Sequence, residues 1–133
     1  MRRKIAGYET VCMNRICPDY NLGVSVSVLE FKGCKSYKKI QKMDSLSFVD
    51  SKYYSTITWG KPGSVKVKQS VELVCMPVRH LETGKNIYMR MKKWYVQGKE
   101  NVYLIDFVSS SISGWNKWLP EMEKMILSLK EID

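Results

Sequence analysis

The chain has 133 residues, 44% hydrophobic and 26% charged, which places it among globular domains able to bury one core without staples. Lysine and arginine number 22 against 13 acids, a net charge of +9 that favours encounter with acidic proteins, anionic surfaces or nucleic acid and leaves the fold open. No apolar run approaches the ~20 residues that cross a bilayer, and no repeat, linker or low-complexity tract divides the chain. One domain over 1–133 is the expectation.

Met1-Arg2-Arg3-Lys4 looks like the charged start of a signal peptide, but Gly7, Tyr8, Glu9 and Thr10 interrupt any apolar stretch behind it. The expected setting is extracytoplasmic, as the soluble part of an exported or lipid-anchored protein. Ile5 to Met13 reads as a first strand, broken at 14–21 by Pro18 and its turn-forming neighbours. In Leu22 to Phe31, Val24, Val26 and Val28 alternate with Ser25 and Ser27, predicting a strand with one buried and one wet face. The period then changes. Tyr37, Ile40 and Met43 predict a helix within 35–49, with Ser36 as its cap.

Tyr53 to Trp59 is aromatic and β-branched, a short strand closed by the Gly60–Gly63 turn. Ser64 to Met76 puts Val65, Val67, Gln69, Val71 and Leu73 in one phase and Lys66, Lys68, Ser70 and Glu72 in the other. With Ile87 to Val96 it predicts a long antiparallel hairpin. After a turn at 97–101, Val102 to Ser109 carries apolar residues in both phases, as a central strand does. The closing helix follows a polar hinge at 109–114. Trp115, Trp118, Leu119, Met122, Met125 or Ile126, Leu129 and Ile132 form its apolar stripe, and a short 3₁₀ turn before Pro120 would relieve the lost donor. The fold class is therefore α+β: an antiparallel sheet of about six strands, order β-β-α-β-β-β-β-α, with the last helix packed on the sheet.

No catalytic constellation stands out. Cys12 and Cys17 lack the spacing of a zinc knuckle, and Cys34 and Cys75 form no second pair, so no metal or cofactor is expected. A Cys12–Cys17 disulfide over the Pro18 turn or simple burial of the thiols are the readings left open. His80, beside Glu82, is the only histidine. Asp106 interrupts an apolar strand; if buried it needs a partner, and an Arg or Lys within 88–93 is the natural one.

The cations are better organised. Lys32, Lys35, Lys38, Lys39 and Lys42 form a run without an acid. Lys66, Lys68, Tyr88, Arg90 and Lys92 fall together on one surface if their strands pair. That surface is a candidate anion or nucleic-acid site on the open side of the sheet, with Tyr88 as a stacking plane. Solvation of a wet face is the competing reading. Trp115 and Trp118 are core residues or the lip of a pocket at the sheet end.

The element order, the Tyr103, Ile105, Phe107 strand, the serine loop, and Ile126-Leu127-Ser128-Leu129 near the end of the last helix together resemble the Mog1/PsbP-like superfamily. The resemblance implies an antiparallel sheet between helices and a non-catalytic binding or accessory domain, with its ligand open. Nucleic-acid or anionic-ligand binding through the basic sheet face is the alternative, and a small thiol- or metal-dependent enzyme a more distant one.

Overall fold

The computed structural model describes residues 2–5, 7–61, 67–79, 81–84 and 86–129; side chains at 2–4, 12–16, 78–79 and 86–87 lie outside that description. Among the described residues, nine strands and two helices follow in the order β1 (Arg2–Ile5), β2 (Tyr8–Asp19), β3 (Val24–Phe31), α1 (Tyr37–Ser45), β4 (Tyr54–Trp59), β5 (Val67–Cys75), β6 (Val78–Arg79), β7 (Asn86–Ile87), β8 (Arg90–Gln97), β9 (Val102–Ser109) and α2 (Ile112–Leu127). Seven strands build one antiparallel sheet in the order β1-β2-β3-β9-β8-β5-β4, and β6 pairs β7 apart from it. The chain is the α+β fold its pattern predicts, with the last helix on the sheet. No described helix is long and apolar enough to cross a membrane.

β9 is central and apolar in both phases because both faces of the sheet are covered. Ile105 and Phe107 meet Val24, Val26, Trp94 and Val96 beneath Trp115, Met122 and Ile126 of α2. On the opposite face, Val102 and Leu104 meet Phe31, Val71, Leu73 and Tyr95 beneath Ile40 of α1 and Phe48. The arrangement is helix, sheet, helix.

Several local expectations change. The first strand is two strands turning at Gly7, whose φ of 82° is left-handed. No break follows Met13: β2 runs on to Asp19, and Pro18 falls where the β2–β3 register is irregular, so no ladder bond needs its missing donor. That extended course also removes the reason for a Cys12–Cys17 bridge. Cys12 stands opposite Leu29 and Ile16 opposite Val26, so the two cysteine backbones are beyond the ~7 Å a disulfide spans. Cys17 is a free, exposed thiol.

β5 is irregular between Val67 and Gln69. Val67 therefore packs under α2, whereas Val71 and Leu73 pack under α1, and the single apolar phase expected for 65–73 splits between the two cores. α2 begins earlier than its stripe suggests. Ser111 caps it, its side chain accepting from the Gly114 N–H at 3.0 Å, so Pro120 falls mid-helix with no 3₁₀ segment before it. Ile132 lies outside the described residues, and Met125 and Leu129 are exposed rather than buried.

Candidate functional site

The predicted basic surface is not an open one. Arg90 and Lys92 lie in β8 opposite Ser109 and Phe107, which puts them on the face that α2 covers. Arg90 is 3.2 Å from Glu72 and its guanidinium sits 4.4 Å from the centre of the Trp115 ring. Lys92 pairs with both Glu72, at 3.7 Å, and Glu123 of α2. Two cations meet two carboxylates, so little field is left for a phosphate chain. Tyr88 precedes β8 and stands outside its register. Lys68 occupies the irregular step of β5, and Lys66 lies outside the described residues, as does His80.

Both tryptophans of α2 are engaged within the fold, and neither lines the cleft that opens beside α1. Trp115 is 4% exposed and stacks on Phe107 with centroids 5.3 Å apart. Trp118 Nε1 donates to Asp19 Oδ2 at 3.0 Å, and Lys117 reaches the same carboxylate at 3.3 Å. The Trp118 bond, more than Lys117, holds the Asp19 pKa below its ordinary value. This is a tether between α2 and the end of β2.

The opposite face is where unmatched chemistry gathers, and it depends on how α1 is held. At its N-terminus the Ser36 side chain makes no cap; Gln97 Oε1 at the end of β8 accepts from the Tyr37 N–H at 2.8 Å instead. At its C-terminus Asp44 reaches down to the sheet. Asp44 accepts from Lys93 Nζ at 3.2 Å and from the Tyr95 hydroxyl at 2.6 Å, and Lys93 lies 3.5 Å from Asp106. Asp106 thus finds the partner its sequence position demands. The Lys93 and Asp44 side chains are only 10% and 12% exposed, so the cluster works at low dielectric.

The titrations follow from that burial. Desolvation is the larger influence on Asp106 and raises its pKa despite the Lys93 ammonium. For Lys93, burial works downward, but Asp106 and Asp44 together outweigh it and leave the pKa raised. Burial and the Asp44 charge push Tyr95 up, so it stays a donor. Because folded Asp106 binds its proton more tightly than the unfolded carboxyl, its ionisation opposes folding as pH rises from the ordinary value of 3.8 through the folded one. Asp106→Asn removes that titration. Its melting temperature relative to the parent should therefore be higher at pH 7 than at pH 4, and a constant difference in thermal melts would contradict the assignment.

With α1 so fixed, a cleft of about 300 Å³ opens between it and the β5–β4 end of the sheet. Tyr37, Lys38, Gln41, Lys42, Ser45 and Val49 form one wall; Trp59 and Gln69 form the other. Positions 37, 41 and 45, and 38 and 42, recur at one helical turn, which aligns them along the wall. Trp59 lies between Phe48, at 5.8 Å, and Tyr95, at 6.5 Å, and is 38% exposed. Among the described residues no carboxylate lines the cleft, and neither Lys38 nor Lys42 forms an ion pair. Cys34 is buried with its thiol toward the Ser36 carbonyl, and burial raises the Cys75 pKa, so neither thiol is primed as a nucleophile.

No protein-family model and no curated protein sequence matches the chain. Among solved structures it is similar to a Pseudomonas aeruginosa protein of unknown function proposed as a regulator, with a TM-score of 0.46 and 10% identity over 100% of this chain and 97% of that one. It is also similar to LpqN of Mycobacterium tuberculosis, involved in cell envelope biogenesis, with a TM-score of 0.43 and 12% identity over 91% of this chain and 69% of that one. The lysine run of α1 is visible in the sequence; its meeting with Trp59 and Gln69 is not, because those residues come from strands 17 or more positions away.

Proposed function

We propose that this chain is a non-catalytic binding or accessory domain, of the kind its Mog1/PsbP-like resemblance implies, and that it holds an anionic ligand in the cleft beside α1. One observation carries the reading: Lys38 and Lys42 stand one turn apart on the cleft wall, unpaired among the described residues, above a half-exposed indole. Such a pair costs the helix stability. The first turn of α1 contains no acid, Lys38 opposes the positive end of the helix dipole, and like charges at i,i+4 repel by a few tenths of a kcal/mol. A bound carboxylate or phosphate offsets each of these costs, and Gln41, Ser45 and Gln69 supply neutral polar groups around it. The basic-face alternative loses support because Arg90 and Lys92 are already neutralised.

The test is titration of ¹⁵N-labelled protein with pyrophosphate and with phenyl phosphate, for the parent and for Lys38→Glu/Lys42→Glu. The variant should bind at least ~10-fold more weakly, the loss expected for charge-assisted hydrogen bonds. Its folding should be undisturbed, since both side chains are exposed. Unchanged binding in the variant, or shifts confined to residues away from the cleft, would refute the site. Lys38→Glu alone should raise the melting temperature slightly while weakening binding, because a carboxylate there suits the helix start and can pair with Lys42.

A further inference from the structure

Beside the cleft lies the last strand of the sheet, and it is unusual for an edge. β4 reads Tyr-Ser-Thr-Ile-Thr-Trp: no charge, no proline, six residues of high β-propensity. Ser55, Thr56 and Thr58 are exposed, and among the described residues no strand pairs with its outer side. Edges of this kind recruit another strand unless charge, proline or a cover prevents it. Here the charges stand around the strand rather than in it: Lys52 and Lys61 at its two ends, both exposed, with Lys38 and Lys42 on the neighbouring cleft wall.

That placement selects the partner. A second copy of this chain pairing β4 to β4 would bring two such sets of lysines together, within a chain whose net charge is +9, and is opposed by repulsion. An extended segment of opposite charge meets no such penalty. Resting on the anion-binding reading of the cleft, we infer that β4 is an edge for strand addition and that its occupant is an extended acidic peptide segment alternating acidic and apolar residues. Backbone hydrogen bonds to β4 supply sequence-independent affinity. In the pairing that turns its acidic residues to the α1 face, the added strand brings only carboxylates to the side of the cleft, where they meet Lys38 and Lys42, and its apolar residues fall on the opposite face. The lysines therefore act in both directions, admitting an acidic strand and rejecting a basic one.

The probe is a fluorescein-labelled dodecapeptide of alternating glutamate and valine or threonine, read by anisotropy at ~50 mM salt, with amide shifts recorded on the ¹⁵N-labelled protein. Two controls accompany it: the same peptide N-methylated at alternate residues, which blocks one hydrogen-bonding edge, and one with lysine in place of glutamate. Strand addition predicts binding of the first, at least tenfold loss with either control, and shifts in amides 54–59. Equal binding of the N-methylated peptide, or binding that leaves 54–59 unmoved, overturns strand addition while the cleft's response to pyrophosphate keeps the anion site standing. Failure of the peptide with pyrophosphate still bound overturns it in the same way. If pyrophosphate fails as well, the anion site in the cleft falls first and strand addition with it.

Discussion

Replacing Gly114 with alanine is expected to destabilise the fold by about 1–3 kcal/mol, although the residue sits inside a helix. Propensity alone predicts the opposite sign, since alanine is favoured over glycine in a helix interior by roughly 1 kcal/mol. Contact decides against propensity. A methyl group at this position would come 2.7 Å from Val24 Cγ2, 2.8 Å from the Leu22 carbonyl oxygen and 2.8 Å from Ser109 Oγ. None of the three can yield cheaply. Val24 is 1% exposed in the core, the Leu22 carbonyl accepts from the Ser111 hydroxyl at 2.5 Å, and Ser109 Oγ donates to the Ser111 carbonyl at 2.7 Å. The close approach of α2 to the start of β3 is therefore built on the missing side chain. Urea unfolding of Gly114→Ala decides the matter: a gain near ~1 kcal/mol would mean that α2 shifts freely on the sheet.

What is legible in the sequence follows from the same balance of local and distant influence. The β5–β8 and β8–β9 pairings are readable because alternation and turn residues act over a few positions. The β8–β9 hairpin forms as expected, whereas the strand expected over 87–96 is divided into β7, which pairs β6 apart from the main sheet, and β8, which pairs β5. β9 betrays its central place by apolar residues in both phases, and Asp106, the exception within it, betrays a buried partner that is Lys93. The covered face under α1 is hidden because its residues look wet. Ser25, Gln69, Lys93 and Asp106 all point toward the α1 side, and composition alone assigns such residues to solvent. The irregular step at Lys68 puts Val67 and Val71 on opposite faces, so the valines of β5 do not mark one covered side, and Arg90 and Lys92 share the face of Phe107 beneath α2. The cleft needs three elements brought together by that second packing. Its lysines can be seen in the sequence, whereas their distance from Trp59 cannot.

Both the cleft and the edge beside it depend on the cluster that anchors the end of α1, so the second large effect is expected there. Lys93→Met should cost about 3–5 kcal/mol at pH 7, the range for removing one member of a buried ion pair. Methionine matches the lysine stem in length and leaves the packing intact, so the loss isolates the charge. It leaves Asp44 and Asp106 facing one another without a cation, with only the Tyr95 hydroxyl still donating to Asp44. Repulsion between two buried carboxylates is relieved when one takes up a proton, so the variant should recover part of its stability as pH falls from 7 to about 4.5. Binding in the cleft should fall at pH 7 as well, because Asp44 then holds the wall that carries Lys38 and Lys42 by the Tyr95 hydroxyl alone. The triple variant Asp44→Leu/Lys93→Met/Asp106→Leu separates two meanings of that loss. If the penalty is that of stranded charges, replacing all three should restore most of the stability without restoring the pH dependence. Chemical denaturation at the two pH values reads both outcomes; a Lys93→Met loss below ~1 kcal/mol, or one that does not shrink toward acid, would show that Lys93 is not what secures α1.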